Sequence, residues 1–340
     1  MAQKDETINN LIDSLQKSSL VEKPVLVHGK HSTYWSTRRV NPDPTSSGQH
    51  TRQQSQDSIQ EIMANSTKEQ QKLYTKTGIC AEDSQSESFV KTISQEMSQN
   101  HIINRNRTVK SKISFVPPTS DEYKKIVQSI DSSWQQSRAD EANQRKRSYK
   151  INGIYKISGL KNEATFQKIV KSHDKYSTKV HGGKNSQLDT FFHGTTLKGV
   201  GGILGVSGQL KILESADGYN MFGKALYLSI NSSYSSSYIS QHGALLICDA
   251  SLGNTWALTK DKEDDFDEWY DENFDKLSNE IDRMESGTSQ YSSLFAKVSS
   301  DAYRSKLPTY AVYNENSVIP RYVVDMEIIY KVSNPGGDTV

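Results

Sequence analysis

Cysteine is scarce in this chain: Cys80 and Cys248 are the only 2 among 340 residues. They are too few for a disulfide framework and by themselves cannot make a zinc site. Cys248 lies in the apolar run ALLICDA and reads as a small buried core residue. Long apolar runs are missing too. No apolar signal region opens the chain and no uncharged stretch is long enough to span a bilayer, so neither secretion nor membrane insertion is expected. The chain reads as cytoplasmic or nuclear. Excess charge of one sign is absent, since the net charge is only +1, which gives no general pull toward nucleic acid or anionic membrane. The best basic cluster, Gln144-Arg145-Lys146-Arg147, is short enough to be a solvated helix face. No glycine-rich GxGxxG segment opens a helix, which argues against a Rossmann-type dinucleotide site.

Apolar side chains are also in short supply. They make up 34% of the residues and the mean hydropathy is −0.71. The length suggests two domains, but the composition supports one full-sized core. The deficit is concentrated in the first third, rich in Gln, Ser, Thr, Asn and Lys. Residues 1–112 are therefore expected to form a polar, mostly disordered arm, because sparse apolar groups do not offset the entropy of ordering a chain. Within it, Ile8, Leu11, Ile12 and Leu15 share one helical face after the possible caps Asp5 or Thr7, predicting a short amphipathic helix near 7–16. Such a stripe docks either on the chain's own domain, the simpler reading, or in a partner's helix groove. A second island, PVLVHGKHSTYW, starts like a strand and breaks at Gly29.

From residue 113 the texture changes. Ser120-Asp121-Glu122 opens a helical pattern running through Tyr123, Ile126, Val127 and Ile130. INGIYKI (151–157) alternates like a strand, and a helix is expected near 162–172. After residue 188, short β-rich runs dominate: TFFHG, KALYLS, ALLICDAS, TYAVYN and RYVVDMEIIYKV. Strands clustered after helices indicate an α+β fold rather than repeated βαβ units. Between Asp264 and Met284, Phe266, Tyr270, Phe274, Leu277, Ile281 and Met284 recur at helical spacing opposite many acidic residues. This reads as an amphipathic helix packed on the domain, with an acidic face that could attract a basic protein substrate.

The segment LDTFFHGTT carries His193-Gly194-Thr195, and FGKALYLSINSSYSSSY begins at Phe222. Together they supply a histidine, an unobstructed backbone, tyrosines that include Tyr227 and Tyr238, and several hydroxyls. That set suits the nicotinamide end of NAD: a flat apolar slot for the ring and polar groups for its carboxamide. Either piece alone is ordinary, since an isolated HGT is more often a turn and tyrosines in β-rich runs usually pack.

Taken in order, SDEYKKIVQSI with INGIYKISG, FFHGTTLKGVGGIL, GYNMFGKALYLSINSSYSSSY, ALLICDASLGN and TYAVYNENSVIPRYVV resemble the catalytic domain of the poly(ADP-ribose) polymerase family, the diphtheria-toxin-like ADP-ribosyltransferases. The resemblance runs from about 113 to 332, roughly two thirds of the chain. It implies a catalytic domain over 113–333, built as an antiparallel split β-sheet with flanking helices, and a flexible tail over 334–340. It also implies NAD as co-substrate. His193 would hold a ribose hydroxyl of the adenosine half, and Gly194 would offer its backbone to the carboxamide, with Thr195 beside them. Ser235 would add a hydrogen bond to the amide, and Tyr227 and Tyr238 would enclose the ring by stacking. Lys211 and Tyr219, on the loop between the two motifs, would meet the pyrophosphate and adenine. Family members often carry arginine where Lys211 stands.

One position departs from the family. Where many polymer-forming members have a glutamate before the penultimate strand, this chain has Thr309, so the constellation is His193, Tyr227, Thr309. Threonine supplies a hydrogen bond but neither a negative charge nor a general base near neutral pH. The resemblance therefore implies a mono-ADP-ribosyltransferase acting on a protein or a nucleic-acid end. The alternative is a catalytically weak or inactive scaffold of the same fold, with a polymerase the less favoured reading. No cysteine-rich zinc module or preceding helical regulatory domain is expected, so activation by DNA breaks is not expected either.

Overall fold

β10 (Val318–Val332) is the longest strand and the spine of the sheet. It pairs antiparallel with β3 (Arg145–Ser158) on one side and β6 (His242–Ala250) on the other. Strand alternation sends Val323 and Val324 to opposite faces, and each joins a different apolar cluster. The computed structural model describes residues 68–99, 111–134, 145–180, 189–212, 222–259, 266–297 and 309–332. The expected helix near 7–16, the PVLVHGKHSTYW island, Tyr219 and the tail over 334–340 lie outside these residues.

The described strands form one sheet in the order β1-β2-β3-β10-β6-β4-β5-β9-β8-β7. The remaining members are β1 (Ile79–Ala81), β2 (Ser111–Phe115), β4 (Asp189–Thr195), β5 (Leu226–Ser229), β7 (Thr255–Thr259), β8 (Ser293–Lys297) and β9 (Thr309–Val312). Between β4 and β5 the ladder holds at a single pair, Phe192 with Ser229. The sheet is thus split there into two halves, joined where the site will lie. This is the expected α+β architecture.

Helices cover both faces. α1 (Lys68–Thr77) and α2 (Ser84–Gln99) precede α3 (Asp121–Ser133) and α4 (Glu163–Val180). The expected start of α3 is found at Ser120, whose hydroxyl accepts from the Tyr123 amide at 3.1 Å, with Asp121 and Glu122 complementing the first turn. Ile126 and Ile130 of α3 pack with Phe192, Leu245 and Val324 on one face of the sheet. On the other face, Val90, Ile93 and Met97 of α2 join Phe191, Leu246 and Val323. The amphipathic helix expected over 264–284 is α7 (Phe266–Glu285), numbered after the two short helices α5 (Leu197–Val200) and α6 (Ser232–Ser235). Leu277, Ile281 and Met284 of α7 are buried against Leu294, Ala296 and Ala311, closing the second half-sheet.

The structure corrects the sequence reading in three places. Residues 68–99, assigned above to a disordered arm ending at 112, form α1, β1 and α2. β1 adds parallel to β2 at the sheet edge, and Ile79, Val90 and Ile93 are fully buried. Their few apolar residues look insufficient alone because the core they complete is supplied by residues spread from Ile113 to Val323. Second, Arg145–Arg147 opens β3 rather than a helix, and Arg147 is buried with its guanidinium 5.5 Å from the Trp134 ring. Third, β7 and β8 were not foreseen. They pair parallel to each other, and neither run is long or regular enough to announce itself.

Candidate active site

The split between the half-sheets places His193. Beyond the Phe192–Ser229 pair the β4–β5 ladder stops, and the His193 side chain bridges the gap instead: Nδ1 lies 3.0 Å from the Tyr227 carbonyl oxygen. A carbonyl only accepts, so Nδ1 carries the proton and Nε2 is left as an acceptor. Desolvation holds the imidazole pKa below the ordinary 6.5, opposed in part by the bond to Tyr227. The neutral ring with an acceptor Nε2 is therefore the resting form.

Gly194 lacks a side chain for a reason internal to the protein. A Cβ at this position would fall 1.8 Å from the Ser235 carbonyl oxygen and 3.4 Å from Tyr238 Cβ. The serine-rich turn formed by α6 and the following 3-10 turn (Ser236–Tyr238) is thus seated directly on the glycine. The sequence argument put the close approach at the ligand; the structure adds one at the fold itself. Ser235 is buried, and its hydroxyl donates to the Phe192 carbonyl at 2.8 Å. Toward any ligand it can offer only a lone pair, which is the polarity an amide N–H requires.

From the same turn Tyr238 projects into solvent, 58% exposed. Its ring is met edge-on by Tyr234 at 5.9 Å and 87°, with the two hydroxyls 3.4 Å apart. The turn is anchored from below by α3: Ser232 Oγ donates to the Ile130 carbonyl at 2.8 Å and Ser133 Oγ to Ser232 Oγ at 2.9 Å. The Arg147 guanidinium holds the Ser233 carbonyl.

Tyr227 is set by the turn before β5. Its hydroxyl accepts from the Phe222 amide at 3.0 Å and donates to the Gly223 carbonyl at 2.9 Å. Tyr313 donates to the Phe222 carbonyl at 2.7 Å, and the Glu285 carboxylate accepts from the Lys224 amide. Gly223 sits at φ 71°, a left-handed conformation that favours glycine. With its hydroxyl committed to this turn, Tyr227 has its ring to offer.

Thr309 opens β9, opposite Ser229 on β5 and Ala296 on β8, while Ala311 stands opposite Tyr227. Tyr227, Ser229 and Thr309 thus share one face of the second half-sheet. The structure brings His193 to Tyr227, Gly194 to Ser235 and Tyr238, and Thr309 to the Tyr227 face. Thr195 pairs with Ala244 and presents its hydroxyl to Gly199 of α5.

Lys211 follows the π-helix (Gly201–Ser207). Its ammonium lies 2.6 Å from Glu315, which also accepts from Gln209 Nε2 at 2.9 Å and the Ile212 amide at 3.0 Å. Nothing in the spacing of Glu315 ties it to Lys211, some hundred residues earlier, so this partnership is not legible in the sequence. Its one signal was being the first acid of the 3-10 turn between β9 and β10.

A family model for the poly(ADP-ribose) polymerase catalytic domain matches residues 120–328, well over half of the chain. The chain belongs to the poly(ADP-ribose) polymerase family. No curated protein matches it. The PARP domain carries ADP-ribosyl transfer from NAD as its chemistry. Among the described residues no group of three or more His, Cys, Asp or Glu could hold a metal ion, and no helix is long and apolar enough to cross a membrane.

Proposed function

We propose that this PARP domain transfers single ADP-ribose units from NAD to a protein acceptor, with release of nicotinamide. The observation that carries the reading is Thr309 at the third position, on the same face as Tyr227. Breaking the nicotinamide–ribose bond needs no metal or covalent nucleophile, because nicotinamide departs as a neutral amine from a cationic ring. The site has to orient the dinucleotide and stabilise an oxocarbenium-like ribose. His193 Nε2 accepts from the adenosine ribose, Gly194 and Ser235 hold the carboxamide, and Tyr227 and Tyr238 enclose the ring. Lys211 meets the pyrophosphate, with Tyr219 and Thr195 completing the dinucleotide site.

Elongation makes a further demand. An incoming ribose hydroxyl is a weak nucleophile and needs a base, and Thr309 does not act as one near neutral pH. One transfer per acceptor is the consequence. The test is NAD-dependent automodification of the purified chain, read by mass, with His193→Ala as control. Single ADP-ribose additions that vanish in the variant support the transferase. Long ladders would instead show a polymerase, and no modification with no NAD binding would show a binding protein built on the fold.

A further inference from the structure

We propose that the segment Lys68–Gln99, which precedes the matched family region, is a positioning element for the NAD site: it fixes the π-helix that leads into Lys211. The inference rests on reading Lys211 as a contact for the NAD pyrophosphate.

The contact is unusually close at two glycines of the π-helix. A Cβ on Gly205 would fall 1.8 Å from the Thr77 carbonyl oxygen, backbone against backbone. On Gly201 it would fall 2.6 Å from Met97 Sδ and 3.0 Å from Ile93 Cγ2. These glycines let the π-helix lie flush on the C-terminus of α1 and the face of α2. Leu204 and Leu210, on either side of its end, are buried in the same cluster as Ile79, Ile93 and Met97. Thr77 is itself fixed, its hydroxyl donating to the Leu73 carbonyl at 2.8 Å and accepting from the Ile79 amide at 3.1 Å. π-helical turns are rare and tend to occur at functional sites. Here the turn delivers the chain to Gln209, Lys211 and Ile212, which Glu315 grips from the other side. The Lys211 segment is therefore held at both ends, by the N-terminal segment through the π-helix and by the β9–β10 turn through Glu315.

The two glycines differ in what they tolerate. Met97 has a flexible tip that can yield to a methyl group at Gly201, whereas the Thr77 carbonyl cannot move without unwinding the end of α1. Gly205→Ala in the full chain thus pushes the π-helix away from α1. Met97→Ala loosens the contact between α2 and Gly201 of the π-helix without a clash, and serves if Gly205→Ala fails to fold. Ile328→Ala is the control: Ile328 of β10 is buried in the other apolar cluster, which includes no residue of Lys68–Gln99 or of the π-helix.

Two readouts decide: the NAD dependence of nicotinamide release, and hydrogen exchange at the Ile212 amide. Gly205→Ala or Met97→Ala is expected to raise KM for NAD by roughly tenfold with kcat changed less than about twofold, as loss of substrate binding away from the reacting bond does. Ile212 exchange accelerates in parallel. Ile328→Ala lowers the melting temperature but leaves KM and Ile212 protection at wild-type levels. The proposal is overturned if all three variants shift KM in proportion to their lost stability, or if the π-helix variants leave both readouts unchanged. Should the wild-type chain release no nicotinamide, the NAD reading fails, and Ile212 exchange alone decides whether the segment positions the Lys211 region.

Discussion

His193 combines two properties that fix how the site responds to pH. Its Nδ1 proton is spent on the Tyr227 carbonyl and desolvation lowers its pKa below 6.5, so its working form is neutral. The unfolded chain takes up this proton more readily than the folded one as pH falls below 6.5. Both the stability this group contributes and its ability to accept a ribose hydroxyl are therefore complete above 6.5 and decline below it. The acid limb of kcat/KM for NAD is expected below pH 6.5, with no inflection from this group between pH 7 and 8; a limb centred above 7 would contradict the assignment. On the proposed NAD reading, His193→Ala removes a hydrogen bond to substrate worth about 1–3 kcal/mol, which lowers kcat/KM by roughly five- to 150-fold. Tyr234 acts one step further out. It holds the exposed Tyr238 ring edge-on, a geometry worth about 0.5–1.5 kcal/mol. Tyr234→Ala should raise KM for NAD by a few-fold. Tyr234→Phe should stay near wild type, because the 3.4 Å contact between hydroxyls is long and contributes little.

At the scale of elements, the site depends on turns more than on strands. The Phe222–Lys224 turn sets the ring of Tyr227, and Gly223 within it could not be replaced quietly: a Cβ would meet Glu285 Oε1 at 2.3 Å and Ile281 Cγ2 at 2.5 Å, at φ +71°. The left-handed conformation alone costs a non-glycine residue about 1–2 kcal/mol. Gly223→Ala should lower the melting temperature by about 5 °C or more and reduce NAD turnover, as calorimetry and nicotinamide release would show together. Elements of this kind mark the limit of what the sequence reveals. β6 and β10 were legible because apolar runs recur over many residues, and α3 because its cap and period agree. His193, Tyr227, Ser235 and Tyr238 were legible because they lie in two compact motifs. Glu315 was not, because its partnership with Lys211 exists only once two distant turns meet. β7 and β8 were not, because their pairing is parallel and depends on α7 lying between them in the chain.

For the molecule as a whole, the question is where the folding unit begins. The family match starts at residue 120 and the sequence reading placed the boundary at 113, yet the core is not closed at either point. Leu73, Ile79, Phe89, Val90, Ile93 and Met97 are all buried in the cluster that holds Ile113, Val200, Leu204 and Leu210. Burying a large apolar side chain contributes about 1.5–3 kcal/mol, so these residues together contribute on the order of 10 kcal/mol. Compaction of the unfolded chain reduces that figure by about 10–40%. What remains is comparable with the entire net stability of a typical domain, about 5–15 kcal/mol. Removing the segment would also bare the β2 edge that β1 covers, opening a row of backbone groups to other chains. A chain beginning at Ser111, with β2 intact, is therefore expected to aggregate or to bind a hydrophobic dye without a cooperative melt, whereas one beginning at Lys68 melts cooperatively. A sharp calorimetric transition from the shorter chain would mean that α1, β1 and α2 are an accessory to the PARP domain rather than part of its core.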